Sequence, residues 1–187
     1  MSTVANEPTV RDCAKAVIDA VDKHGDDQAV LLSAIKGPIA ELLQRDDLRD
    51  IGIPRQGNNV SFSRYLYFDG ELSILLFEVP SDKAIPPHDH GVWEGFCVYR
   101  GRVQHKVYVR TDDGSVEGFA RLDTVCDDIM EPGDVAIVAP PADIHSFKAL
   151  EEGTLGLTIV NGPYKDERHY YQPEANTYVI KKQRNAR

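Results

Sequence analysis

Short stretches rich in β-branched and aromatic residues follow one another closely from about residue 60 onward. Residues with turn chemistry separate them, as in Asp69-Gly70, Arg100-Gly101 and Pro132-Gly133-Asp134. Many short strands at close spacing are typical of a β-sandwich or barrel, folds that leave few sheet edges exposed. The predicted strands are 60–68, 72–79, 93–100, 103–110, 115–122, 124–130, 135–139, 144–149, 154–161 and 177–181.

The segment that precedes these strands, residues 8–48, has the periodicity of α-helices. Apolar residues recur there at three- and four-residue steps, which predicts a first helix with Pro8 in its first turn. Gly25 predicts the end of this helix, and Asp26-Asp27 predicts the cap of the next. Gly37-Pro38 predicts a break that divides the second stretch into two shorter helices. We expect these helices to cover one outer face of the sheet.

Length and charge restrict the classes of protein that fit. The 187 residues suit a single domain, with a helical segment at 1–50 and a β-barrel at 60–181. The net charge of −9 argues against nucleic acid or an anionic membrane as the main partner, because both need a basic protein face. An odd number of cysteines without a CxxC pair argues against a disulfide scaffold. Since no signal-like or membrane-spanning run is present, we predict a cytoplasmic protein.

The run from Pro86 to Glu94 carries the residues with metal chemistry. Side chains on a strand alternate between faces, so His88, His90 and Glu94 would point the same way on a strand without a bulge. His145, which follows a later turn, supplies a third imidazole. Imidazole suits zinc, copper, iron and nickel, and a carboxylate adds hard character. The pattern predicts one metal ion held by the three histidines and Glu94, catalytic if coordination positions stay open.

The remaining histidines and cysteines are not part of a comparable pattern of metal-ligating residues. His24, His105 and His169 are therefore expected in roles other than metal binding. Cys97 has the opposite parity to the glutamate of the metal run, so we expect it to face away from the metal. Cys97 and Cys126 are interpreted as small packing residues.

These motifs resemble those of the cupin superfamily. The first motif is an HxH pair, a glutamate and, after six further residues, a glycine, found here as His88, His90, Glu94 and Gly101. The second motif is a glycine, a proline and a histidine, found here as Gly133, Pro140 and His145. Ala142 and Ala149 replace its usual second glycine and its asparagine. The resemblance implies a mainly β fold, the cupin double-stranded β-helix or jelly-roll barrel, with N-terminal α-helices packed outside.

Residues 60–101 resemble a narrower group, the thiol dioxygenases related to cysteine dioxygenase. The pattern is an aromatic-x-Arg strand, here Phe62-Ser63-Arg64, followed by an HDHG-x-W run, here His88 to Trp93. The resemblance implies that Arg64 binds a substrate carboxylate, and a guanidinium pairs with carboxylate in a bidentate way. Phe62 shares the parity of Arg64, so a buried Phe62 would favour a pocket that includes both, with Trp93. A surface Arg64 without a substrate role is the alternative.

Glu94 departs from the thiol dioxygenase pattern, in which cysteine or glycine replaces this glutamate. The family's Ser-His-Tyr set would fall at Gly156, Thr158 and Val160, so it is absent. Glu94 is therefore predicted either to bind the metal or to act as an acid/base beside it. Tyr164 lies close in sequence and is a candidate phenol for the substrate pocket.

Three functions remain open at this point. The first is a mononuclear non-heme iron(II) oxygenase that resembles thiol dioxygenases, uses dioxygen and acts on a small carboxylate-bearing substrate, such as a thiol acid. The second is an isomerase, lyase or hydrolase that uses manganese, nickel or zinc without dioxygen. The third is a small-molecule-binding cupin without catalysis. Because cupins often dimerise, the resemblance also implies a homodimer.

Overall fold

The computed structural model describes residues 8–25, 27–55 and 61–182. Two helices come first, α1 (Val10–His24) and α2 (Gln28–Leu42). The strands are β1 (Ile53–Pro54), β2 (Ser63–Phe68), β3 (Leu72–Glu78), β4 (Ile85–His88), β5 (Glu94–Arg100), β6 (Val103–Arg110), β7 (Leu122–Met130), β8 (Val135–Val138), β9 (Ile144–Ala149), β10 (Leu155–Asn161), β11 (Glu167–Gln172) and β12 (Thr177–Lys182).

A capping box starts α1. The Thr9 hydroxyl accepts a hydrogen bond from the backbone amide of Asp12 at 3.1 Å, and the Asp12 carboxylate accepts one from the Thr9 amide at 3.1 Å. Pro8 therefore lies before the helix and not in its first turn, which corrects the prediction. Gly25 ends the helix as predicted, and its amide donates to the Val21 carbonyl at 2.8 Å.

The second helix is continuous, which corrects the predicted break at Gly37-Pro38. It starts at Asp27, whose carboxylate accepts a hydrogen bond from the Val30 amide, whereas Asp26 lies outside the described residues. Pro38 removes one backbone donor, but tertiary packing of the apolar face keeps the helix intact. The buried positions of that face are Leu31, Ile35, Ile39 and Leu42.

Two six-stranded antiparallel sheets form the barrel. Their strand orders are β1-β2-β3-β10-β5-β8, here the first sheet, and β12-β11-β4-β9-β6-β7, the second sheet. When β3 to β10 are counted as strands one to eight, the central orders become 1-8-3-6 and 2-7-4-5. This is the arrangement of a jelly roll built from two Greek keys. The predicted fold class is therefore confirmed: mainly β, with two helices outside.

The first sheet has two buried faces. On its outer face, side chains of both helices pack on Ile74, Leu76, Cys97 and Ile159. This confirms that the helices cover one face and that Cys97 points away from the barrel interior. Between the sheets lies a smaller aromatic cluster that includes Phe77, Phe96 and Phe147.

Several predicted strands need correction. Residues 115–121 form a loop that leads into β7, and the paired side chains of Arg110 and Asp112 hold this loop, with Nη2 of Arg110 2.8 Å from the Phe119 carbonyl oxygen. The short strands β1, β4 and β11 were missed. β4 contains two prolines and β11 is rich in polar residues, so neither shows strand-like alternation. Residue 60, where the first strand was predicted to start, lies outside the described residues.

Cys126 is only partly buried, which corrects its interpretation as a small packing residue. It lies half-buried on the edge strand β7, and its Sγ donates to the Asp128 carboxylate at 3.0 Å. Cys13 and Cys97, by contrast, are buried under the helices.

Candidate metal centre

Three imidazoles meet in the barrel interior. His88 ends β4 and is paired with His145 of β9, while His90 follows in the loop after β4. The ligand nitrogens of the three rings all lie within 4.8 Å of one another. Nε2 of His90 is 2.8 Å from Nε2 of His145, and all three side chains are buried. The sequence thus selected three residues that the fold brings together.

The backbone structure that brings the three histidines together differs from the predicted one. Residues 89–93 are a loop between β4 and β5, so His88, His90 and Glu94 do not share one regular strand. Gly91 has a φ of +74° and lies against Lys165, where an added Cβ would come 3.1 Å from the lysine Cδ. The loop, and not strand alternation, turns His90 towards the other two rings.

Two carboxylates anchor this loop. Asp143 accepts hydrogen bonds from the backbone amides of His90 at 2.8 Å and of the next residue at 2.7 Å. Asp89 is bound by Nζ of Lys165 at 2.5 Å and by the amide and Nδ1 of His169 at 2.9 and 2.7 Å. Contacts from β11 and from the residues just before β9 and β11 therefore fix the position of His90.

The three rings fit a divalent transition metal. Burial is the main cause that lowers the pKa of His88 to about 3 and the pKa values of His90 and His145 well below the usual range. The imidazoles are therefore neutral at pH 7, the form that binds metal. Nδ1 of His88 lies 2.8 Å from the Pro86 carbonyl, which can only accept, so Nε2 of His88 keeps its lone pair for the ion.

Glu94 starts β5 and lies beside the cluster. Its Oε2 accepts a hydrogen bond from the Tyr164 hydroxyl at 2.5 Å and is 3.2 Å from Nδ1 of His90, and Oε1 is 3.7 Å from Nε2 of His145. Burial raises the pKa of Glu94 to about 7, although the Tyr164 hydrogen bond and the charge of Arg168 act in the opposite direction. Glu94 as a fourth ligand, or as an acid/base, stays a prediction.

Tyr164 is the one predicted substrate-pocket residue that the structure places against the cluster. Its ring centroid is 5.1 Å from that of His90. Burial raises the pKa of its phenol well above the usual range, so the hydroxyl is protonated and donates to Glu94.

Arg64 lies on the other side of the first sheet. It pairs with Leu76, which belongs to the core under the helices, and Phe62 packs on that same core. The Arg64 guanidinium donates to the carbonyls of Ile51 at 2.7 Å and Gly52 at 2.8 Å. The predicted pocket-facing orientation of Arg64 is therefore wrong, and the same holds for Phe62.

Trp93 also packs against the core under the helices. It lines a cavity of about 360 Å³ between the start of α2 and the loop that follows His90. None of the three clustered histidines lines this cavity. The structure therefore separates Trp93 from the cluster in the barrel interior.

Arg168 of β11 is the guanidinium that sequence reasoning missed. It is 9% exposed, and its Nε donates to the Asp89 carbonyl at 2.9 Å. Its Nη2 is 3.0 Å from Nδ1 and 3.4 Å from Nε2 of His90. An atom in the ring plane cannot approach both nitrogens without overlapping the carbon between them, so the guanidinium lies over the ring face. Arg168 could have been found if β11 had been recognised as a strand. It lies two residues before Tyr170, which stacks on His88, so both side chains point to the face of the strand that carries the cluster.

His105 lies outside the group of His88, His90 and His145, but it is not isolated. Its Nε2 lies 3.0 Å from Nδ1 of His145, and both residues are buried. His169 likewise binds no metal ligand directly and contacts Asp89 instead.

Within the described part of the chain, no helix combines the length and apolarity needed to cross a membrane.

Comparison with known proteins gives only remote similarity. No protein-family model matches the sequence, and no curated protein matches it. Among solved structures, KdgF from Halomonas sp. is 17% identical, with 64% of this chain and 94% of that chain covered and a TM-score of 0.45. An RmlC-like cupin from Ralstonia eutropha is 18% identical, with 70% and 72% covered and a TM-score of 0.43. A cupin superfamily protein from Desulfitobacterium hafniense is 16% identical, with 58% and 83% covered and a TM-score of 0.40.

Two of these three proteins carry the cupin name. At such identities and TM-scores, however, the likeness supports no conclusion about activity. The jelly-roll assignment rests on the strand order of the two sheets, and the metal centre rests on the contacts of the three histidines.

Proposed function

We propose that this chain is a mononuclear iron(II) cupin oxygenase that acts on a small carboxylate-bearing substrate, such as a thiol acid. The observation that carries the proposal is the convergence of three buried, neutral imidazoles at the centre of a jelly roll. His88, His90 and His145 would hold the ion. When bound, iron(II) would supply open coordination positions for substrate and dioxygen, together with a change of redox state.

Arg168 supports an anionic substrate. Its guanidinium is buried beside His90, and within the described part of the chain its Nη1 makes no hydrogen bond. A charge-assisted donor in a site of low dielectric binds a carboxylate strongly. Tyr164 lies under the guanidinium, with its ring centroid 4.9 Å from Cζ of Arg168, and holds it in place. In this proposal Arg168 takes the role that the sequence had given to Arg64.

Glu94 and Tyr164 supply a proton-holding pair at the same site. The shared hydrogen bond at Oε2 of Glu94 is short, buried and adjacent to His90. The pair would hold a proton at Oε2 or release it towards a substrate group bound beside the histidines. Phe96 and Phe147, whose ring centroids are 4.8 Å apart, close the interior on the side of His105 and exclude water there.

Oxygen uptake tests the proposal. Freshly purified protein is analysed for metals, depleted, loaded with iron(II) under anaerobic conditions, and then mixed with oxygen and a panel of small acids. The panel contains cysteine, 3-mercaptopropionate, their amides and their thiol-free analogues. We expect uptake with iron-loaded protein and a carboxylate substrate, and none with the metal-free protein.

Two outcomes would contradict the proposed oxygenase function. No uptake across the panel by protein that retains iron would remove the proposed reaction. Full turnover without oxygen would instead select an isomerase, lyase or hydrolase that uses manganese, nickel or zinc.

Replacement of Tyr164 by phenylalanine tests the proton-holding pair. The variant keeps the ring against His90 and removes only the hydroxyl that Glu94 accepts, so kcat should fall by about 10²-fold while metal content stays unchanged. Tyr67→Phe is the matched control, because Tyr67 also donates to a carboxylate, that of Asp69 at 2.8 Å, but on the protein surface. An unchanged kcat in Tyr164→Phe would exclude the proposed role, and metal loss would make Tyr164 a structural residue.

A further inference from the structure

We infer that His105 is a positioning residue for the metal: it accepts a hydrogen bond from His145 and thereby fixes which nitrogen of His145 is available to the ion. The inference rests on the proposed metal centre and extends it to a histidine that binds no metal itself. It assigns a role to a buried residue that the proposed reaction leaves unused.

Strand pairing places His105 behind His145. β6 and β9 pair so that His105 is opposite Phe147 and Val107 is opposite His145. Paired residues of antiparallel strands point to the same face, so all of these side chains point into the barrel. His105 is therefore diagonal to His145 on that face. The two rings meet edge to face, with centroids 5.2 Å apart and an interplanar angle of 86°.

The direction of the hydrogen bond follows from the position of the other ring nitrogen. Nε2 of His145 points at the cluster, 2.8 Å from Nε2 of His90. A metal held there takes the lone pair of that Nε2, so the proton of neutral His145 lies on Nδ1 and is donated to Nε2 of His105 at 3.0 Å. Such an outer acceptor raises the basicity of the ligand and holds the ring at one angle.

His105 is itself held firmly. Its ring stacks on Phe96 with an interplanar angle of 17° and a centroid distance of 5.8 Å. The ring is 2% exposed, so water does not compete with it for the His145 proton. A fixed acceptor of this kind restricts rotation of His145 about its side chain, which a mobile water would not.

The three histidines differ in the nature of their outer partner. Nδ1 of His88 faces the backbone carbonyl of Pro86, which substitution cannot remove. Nδ1 of His90 faces Glu94, which belongs to the proposed reaction machinery. Nδ1 of His145 faces a side chain without another assigned role. His105 therefore offers a clean test of how outer hydrogen bonds affect metal affinity in this barrel.

The test is a cobalt(II) titration of metal-free protein, with thermal unfolding of the same metal-free samples. His105→Phe keeps an aromatic ring against Phe96 and removes the acceptor, so we expect about 10- to 100-fold weaker cobalt binding without a lower melting temperature. His105→Gln is the rescue variant, because its Oε1 reproduces an acceptor near the position of Nε2. We expect it to recover most of the lost affinity.

Three results would overturn the inference. Wild-type affinity in His105→Phe would show that the hydrogen bond is irrelevant to the metal. Equal weakening in both variants, with lower melting temperatures, would show a merely structural role. A wild-type protein that binds no cobalt would remove the metal centre, and with it the proposed function as well as this inference.

Discussion

Replacement of His88 by alanine is expected to leave the purified protein without its metal and without activity above background. In the proposed centre His88 is one of three inner ligands, and two imidazoles on one side of an ion do not retain it during purification. The side chain is buried and stacks on Tyr170, so the variant also loses some stability. Metal analysis by mass spectrometry checks the first expectation, and thermal unfolding of metal-free protein checks that the fold survives.

A second histidine variant controls for the mutation itself. His24 lies in the last turn of α1, outside the cluster, so His24→Ala should keep wild-type metal content. If His88→Ala retained near wild-type metal, the three-histidine centre would be excluded. If both variants lost metal equally, the loss would reflect damage to the fold.

The second large effect is expected at Arg168. Arg168→Met keeps the apolar stem of the side chain and removes the charge beside His90. A charge-assisted hydrogen bond contributes about 1.5–3 kcal/mol, so KM for a carboxylate-bearing substrate should rise by roughly 10- to 100-fold. Steady-state kinetics on the substrate identified by oxygen uptake measures this, and the amide analogue of that substrate should show a much smaller change.

Arg64→Met is the matched control for that experiment. Arg64 donates to the backbone carbonyls of Ile51 and Gly52 on the helix side of the first sheet, so its loss should lower the melting temperature and leave KM unchanged. A rise in KM in Arg64→Met, with none in Arg168→Met, would restore the role that the sequence resemblance gave to Arg64.

The contrast between these two arginines shows where sequence reasoning reached its limit. Parity correctly grouped Arg64 with Phe62, and Phe62 is partly buried, yet both point to the helices. A sheet covered by helices on one side and by a second sheet on the other has two buried faces. The burial of Phe62 therefore does not show whether the side chains on its face point to the barrel interior or to the helices. Arg168 was missed because β11 is rich in polar residues and shows no apolar alternation.

The fold was predictable where turn residues divide apolar strands. Asp69-Gly70, Arg100-Gly101 and Pro132-Gly133 mark real connections, and the strands around them follow the predicted bounds within a few residues. β4 was not predicted as a strand because two of its four residues are proline. The three histidines were predictable because a spaced HxH pair with a later histidine is rare by chance. The residues that contact these histidines from outside the cluster were not predictable, because His105 and Arg168 are brought beside them only by strand pairing in the sheet.

The anchoring of Asp89 has a consequence for the order in which the protein matures. Its partner His169 lies 80 residues later in the chain, and Arg168, which binds its carbonyl, lies 79 residues later. During synthesis all three imidazoles are added to the chain before β11. Because contacts of such large sequence separation form late, the loop that bears His90 gains its full support only when the last two strands dock. The nascent chain thus contains the three imidazoles of the proposed metal centre before the contacts that fix the position of His90 can form.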